Sequence, residues 1–245
     1  MNNSIEIFFN IIMIFSVLCF HELAHLITGL LQGFRFELFV VGPLGIKRKD
    51  DKIKVYFNTE LQYYGGVAAT LPTDTNPDNR KKFANLLLAG PIASLLLTFI
   101  LFFIYYNFKF PYSKVFEIST LASFGIFLAT TIPNKTGMFF TDRKRYQRLT
   151  SKGKVQEVEM AILRVTGIYV RDNSYINVAL KDIETMVNDK DYKYFGLFTK
   201  LSYEFETNGY FDVTTKNEFD VLSKKMSKSM VKIFAKELEK LKSDN

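Results

Sequence analysis

The sequence predicts a mainly α, polytopic membrane protein with a three-helix transmembrane core, a membrane-associated β insert and a C-terminal cytosolic helical domain. Three observations lead there. Long, almost uninterrupted apolar runs recur before about residue 132. Between the first two runs, β-branched and aromatic residues are punctuated by Gly and Pro, the pattern of strands and hairpins. After about residue 150, apolar residues return at helical spacings among Lys, Glu, Asp and Asn. The mean hydropathy of +0.03 is an average over these unlike parts.

The first span, about 5–32, is apolar from Ile5 to Leu31 and long enough for a hydrocarbon core ~30 Å thick. It has no basic segment before it and no small-residue cleavage site, so it reads as a retained helix rather than a signal peptide. The β insert, about 34–72, contains FRFELFVVGPLGIKR and KIKVYFNTELQYYGGVAATLP, joined through the charged turn Lys49-Asp50-Asp51-Lys52. Gly65-Gly66 either ends a strand or lets another group approach the backbone closely. The second span, about 83–108, ends in Tyr105-Tyr106, and with no Trp in the chain Tyr must supply any interfacial belt. The third, about 115–132, is the shortest and carries Glu117 near its outer end. The membrane core is thus expected over 1–150. The helical domain is expected over 151–245, with helices near 155–170, 176–188 and 192–207 and a long amphipathic one over 216–242.

The 32 Lys and Arg residues outnumber 25 Asp and Glu, for a net charge of +7. They flank the apolar segments and show no basic-aromatic alternation, so the partner is a lipid bilayer and not nucleic acid. Basic residues crowd the loop between spans one and two (Arg35, Lys47, Arg48, Lys49, Lys52, Lys54, Arg80, Lys81, Lys82) and the stretch from Arg143 to Lys154. The other side has only Lys109 and Lys114, which predicts a multi-pass cell-membrane protein with its N-terminus outside and C-terminus in the cytosol. Cys19 is the single cysteine, so no intrachain disulfide exists.

Chemistry concentrates in the first span, at His21-Glu22-Leu23-Ala24-His25. The chain has two histidines, and both are here, at the i, i+4 spacing that puts two imidazoles on one helix face to grip a metal ion. Glu22 projects from the neighbouring face, where it can take a proton from water activated by the ion. Ionisable groups at membrane depth are costly and mark functional sites. Catalytic zinc takes three protein ligands. Cys19, two residues before His21, faces elsewhere, Glu37 and Glu60 lie in the strand-like region, and Glu117 is at the wrong membrane face. Asp142 is the candidate third ligand, because Pro133 and Gly137 break the third span and return the chain toward the cytosolic half of the bilayer.

With HELAH in the first core helix, Gly90-Pro91 in the second and Ile132-Pro133…Gly137…Thr141-Asp142 ending the third, residues 10–150 resemble the site-2 protease family of intramembrane zinc metalloproteases. The resemblance implies zinc-dependent hydrolysis of membrane-embedded or membrane-adjacent peptides, with His21, His25 and Asp142 as ligands and Glu22 as general base. Arg143 stands where that family usually has Gly, and Ser94 and Thr130 replace asparagines. With no regulatory extracytosolic domain in the sequence, a short secreted or signalling peptide is the favoured substrate. The rival expectation is a non-enzymatic metal-binding membrane protein, an immunity or transport component.

Overall fold

The computed structural model describes residues 3–49, 51–108, 113–136 and 139–243, so that Asp50 and Gly137 lie outside the described residues. The protein is mainly helical with a small antiparallel sheet and divides into two compact units. The first comprises Met1–Leu71, Lys81–Asn134 and Phe140–Gln147; the second comprises Pro72–Arg80, Lys135–Phe139 and Arg148–Asn245.

Helix α1 (Asn3–Leu31) has 29 residues, or about 43 Å at 1.5 Å per residue, more than a hydrocarbon core requires. Helix α2 (Asn79–Asn107) starts earlier than expected, taking in Arg80, Lys81 and Lys82. Lys and Arg are good helix formers, so the charge that ends the apolar run does not end the helix. Among the described helices, α1 and α2 are the two long and apolar enough to cross a membrane. Helix α3 (Ser113–Thr131) forms where the third span is expected, but Lys114, Glu117 and its Ser and Thr residues dilute its hydropathy below that measure. Phe8 and Ile12 on α1, and Leu96, Phe99 and Phe103 on α2, are exposed, a surface that water does not suit.

The insert folds as strands β1 (Arg35–Val41), β2 (Leu44–Lys49), β3 (Lys52–Phe57) and β4 (Val67–Leu71). The spatial order is β3-β2-β1-β4, antiparallel throughout. Strands β1 and β2 join by a tight turn, with Val41 opposite Leu44, and the β2–β3 pairing extends to Lys49 opposite Lys52. The chain then passes a short 3₁₀ turn (Leu61–Tyr63) and returns as β4 on the far side of β1, with Ala68 opposite Phe39. Phe39, Val40 and Val41 are buried, on alternate faces of β1, and α1 packs on β1, β4 and α3. After α3 come two short strands, β5 (Lys135–Thr136) and β6 (Phe139–Phe140), and helix α4 (Asp142–Thr150).

The second unit is built from α5 (Lys154–Asp172), α6 (Leu180–Val187), α7 (Lys193–Asn208), α8 (Val213–Ser223) and α9 (Lys228–Ser243). Helix α6 starts later than the sequence suggests, because the Glu206 carboxylate accepts from Ser174 Oγ and the Tyr175 N–H and holds that segment in a turn. The single long helix expected over 216–242 is two helices. The apolar spacing runs on across Lys224–Ser227, but the backbone turns there, and Ser227 Oγ accepts from the Met230 N–H as an N-cap for α9. The core is formed by Val158, Ala161 and Val165 of α5, Ile183 and Met186 of α6, and Leu197 and Leu201 of α7, with Tyr194 stacked on Phe219 at 4.7 Å.

Charge is also buried in this unit. Arg148 donates from Nε to Glu159 (2.6 Å) and from Nη1 to Asp191 (2.9 Å), and Lys135 donates to the other Asp191 oxygen at 2.6 Å. Burial works to raise the Asp191 carboxyl, but Lys135 and Arg148 outweigh it and hold it below the usual carboxylate range. Its stabilisation is therefore present above the ordinary carboxylate pKa and is lost as pH falls through the lowered value. Replacing the cation strands Glu159, which is 2 % exposed. Arg148→Ala is expected to destabilise the unit by about 3–5 kcal/mol, the cost of an uncompensated buried charge. Thermal unfolding of the detergent-solubilised protein checks this.

Candidate metal centre

Helix α1 presents His21 and His25 one turn apart, both buried. His25 Nδ1 donates to the Leu86 carbonyl at 2.7 Å. A carbonyl can only accept, so the proton of a neutral His25 is on Nδ1 and its lone pair is on Nε2. His21 Nδ1 is held by Ser94 Oγ at 2.8 Å, which leaves Nε2 on the same side. The two Nε2 atoms are 3.2 Å apart, and Asp142 Oδ2 lies 3.5 Å from that of His21 and 3.3 Å from that of His25.

Those spacings fit a metal ion. Tetrahedral zinc with bonds of about 2.0–2.1 Å separates its ligand atoms by about 3.3 Å. Lone pairs that face one another at such spacing repel unless a cation stands between them. Asp142 supplies the third atom of the group, a carboxylate oxygen. Among the described residues, His21, His25 and Asp142 are the group of three placed to hold an ion.

Local sequence explains why these residues meet. Helix α3 stops at Thr131, just before Pro133, which cannot continue it. Thr141 then closes the loop: its N–H donates to the Asn134 carbonyl, and its Oγ1 donates to the Ile132 carbonyl and accepts from the Asn134 N–H. Asp142 follows as the first residue of α4, where the helix dipole favours a negative charge. On α2, Gly90 faces the His25 ring so closely that any side chain there would collide with Nε2. Pro91 lies inside the same helix and has no N–H to donate to the preceding turn.

Glu22 lines the same cleft, which has a volume of about 360 Å³. Its carboxylate accepts from the Ala68 backbone N–H on β4. Gly66, at φ +96°, lies against it, and a Cβ there would be 2.7 Å from Glu22 Oε1. The glycine pair therefore serves a close approach as well as leading into a strand. Arg145, one turn along α4 from Asp142, also lines the cleft, its guanidinium 4.5 Å over the Phe83 ring. Cys19, Glu37, Glu60 and Glu117 do not line it, and Glu37 is paired with Arg35 at 2.6 Å.

The sequence did not point to Ser94, the Leu86 carbonyl, Ala68 or Arg145. For Ser94 a signal existed, since it lies four residues after Gly90 and so on the same helix face. Thr130, the other residue that replaces an asparagine of the resembled family, donates to the Ile126 carbonyl of its own helix at 3.0 Å.

The His-His-Asp group could hold a metal ion, and the two histidines and the neighbouring glutamate lie on a helix long and apolar enough to cross a membrane. The chain belongs to peptidase family M50, the site-2 protease family, whose sequence profile matches residues 9–244. Peptidases of this family are metallopeptidases, generally zinc-dependent. No curated protein and no solved structure matches the chain.

The purified protein is expected to carry about one zinc per chain, the ion that two imidazoles and a carboxylate suit. His21→Ala and His25→Ala should lose it and Asp142→Ala should weaken it, as measured by elemental analysis. Unchanged zinc content in Asp142→Ala would remove the carboxylate from the ligand set.

Proposed function

We propose that this protein is a polytopic intramembrane zinc metalloprotease that cleaves membrane-embedded or membrane-adjacent peptides. His21, His25 and Asp142 hold the zinc and Glu22 is the general base. The observation that carries this reading is the convergence of two Nε2 atoms and one carboxylate oxygen at 3.2–3.5 Å, beside a second carboxylate on the same cleft. Zinc bound there supplies Lewis acidity, polarising the scissile carbonyl and acidifying the attacking water. Glu22 takes the proton from that water and passes it to the departing amine, so the C–N bond breaks as the new C–O bond is kept. The Ala68 N–H holds the Glu22 carboxylate in the cleft for that transfer.

A helical substrate keeps its carbonyls in hydrogen bonds, so the cleaved segment must be extended. Strand β4 lines the cleft and, among the described residues, has one strand neighbour, β1, which supports a reading in which the unwound peptide lies along β4 as an added strand. A short secreted or signalling peptide is the favoured substrate. On this reading α3 completes a three-helix core within 1–150, the β insert lies at the membrane, and 151–245 forms a cytosolic domain.

Topology reporters test the arrangement. Given the loop charges, a fusion after Asn245 should report from the cytosol and one near Tyr112 from outside. An extracytosolic C-terminus would contradict the orientation.

Glu22→Gln separates enzyme from binder, because it keeps the side-chain volume and removes the base. The variant should keep its zinc and lose peptide cleavage by at least ~10²-fold. Near-normal cleavage with zinc bound would mean that Glu22 is not the base. Full biological activity without proteolysis would favour the non-enzymatic metal-binding protein.

A further inference from the structure

We propose that Ser94 is a positioning residue for the metal site: its hydroxyl accepts the His21 Nδ1–H and fixes the imidazole so that Nε2 faces His25 and Asp142. This rests on the metal reading above and assigns a role to a residue on a different helix from the histidines.

The two imidazoles are anchored by different means. His25 is tied to the backbone carbonyl of Leu86 at 2.7 Å, which no side-chain change removes, while His21 is tied to a side chain, Ser94 Oγ, at 2.8 Å. Leu86, Gly90 and Ser94 follow one another at i, i+4 and i+8 along one face of α2. His25 meets the first two and His21 meets the third. The two helices therefore run antiparallel through the site, and each ring has its own support.

Ser94 is itself held in place. It is fully buried, and its carbonyl accepts from Ser123 Oγ of α3 and from Thr98 Oγ1, each at 2.8 Å. The hydroxyl therefore sits on a backbone gripped from two sides. His21 is 3 % exposed, so its ring is largely shielded from bulk solvent. Loss of the hydroxyl leaves a buried N–H without its acceptor and frees the ring to turn about its side-chain bonds. Outer partners of metal-bound imidazoles typically matter by about 10–100-fold in metal affinity.

The experiment compares Ser94→Ala with Ser119→Ala in the full-length, detergent-solubilised protein. Ser119 is an equally buried serine whose hydroxyl donates only within its own helix, to the Val115 carbonyl at 2.7 Å. Zinc affinity is read by competition with a chelator, and the ligand field by the visible spectrum of the Co(II)-substituted protein. Ser94→Ala should weaken zinc binding by about 10–100-fold and alter the cobalt spectrum, with cleavage recovering toward the wild-type rate in excess zinc. Ser119→Ala should leave affinity and spectrum unchanged. Wild-type affinity and spectrum in Ser94→Ala would overturn the proposal, as would equal losses in both variants, which would mean general packing damage. A wild-type protein that binds no zinc at all would instead overturn the metal reading on which the proposal rests.

Discussion

Three electron-rich atoms, two imidazole nitrogens and a carboxylate oxygen, meet within 3.5 Å in a buried cleft, and much of the first unit exists to make that tolerable. Left to themselves these atoms repel, and burial strengthens the repulsion by excluding water. The fold holds them together by acting on the far side of each ring, where Ser94 Oγ and the Leu86 carbonyl take the Nδ1 atoms. The carboxylate is delivered by a separate device, a loop closed by Thr141 that sets Asp142 at the start of α4. The helix packing follows from the same requirement. Helix α2 can come close enough for its carbonyl to reach His25 only because residue 90 has no side chain.

Apolar helices also leave polar side chains few partners, and this unit shows how they are used. Thr98, Ser119 and Thr130 each donate to a carbonyl of the preceding helical turn. That costs little and keeps a hydroxyl satisfied where water is absent. Ser123 and Ser94 break the pattern. Ser123 reaches across to the Ser94 carbonyl, and Ser94 reaches across to His21. Hydroxyls that leave their own helix in this setting join α1, α2 and α3 around the site.

The second unit solves a different problem. Its interior is a conventional helical core, with one buried cation, Arg148, shared between Glu159 and Asp191. Such a cluster stabilises less than an apolar core of the same volume, because each ion loses its water on burial. What it provides is a penalty for any arrangement that separates the partners, since each charge left alone in the interior costs several kcal/mol.

Much of this was legible in the sequence. The apolar runs determined α1 and α2, and alternation with Gly and Pro punctuation determined the sheet, because these depend on local hydrophobic pattern and turn chemistry. The relation between His21 and His25 was legible as well, since i, i+4 spacing on a helix fixes it whatever surrounds them. Elsewhere local pattern misled. Apolar spacing ran unbroken through 224–227, where a serine cap starts a new helix. Only the tertiary structure decided that Asp142 sits 3.3–3.5 Å from both imidazoles, that Ser94 holds His21, and that β4 brings Gly66 and Ala68 to Glu22. Sequence patterns report which face a residue takes on its own element. Which residues meet across 61, 73 or 117–121 positions of chain depends on how the helices pack, and that is set by contacts no local pattern records.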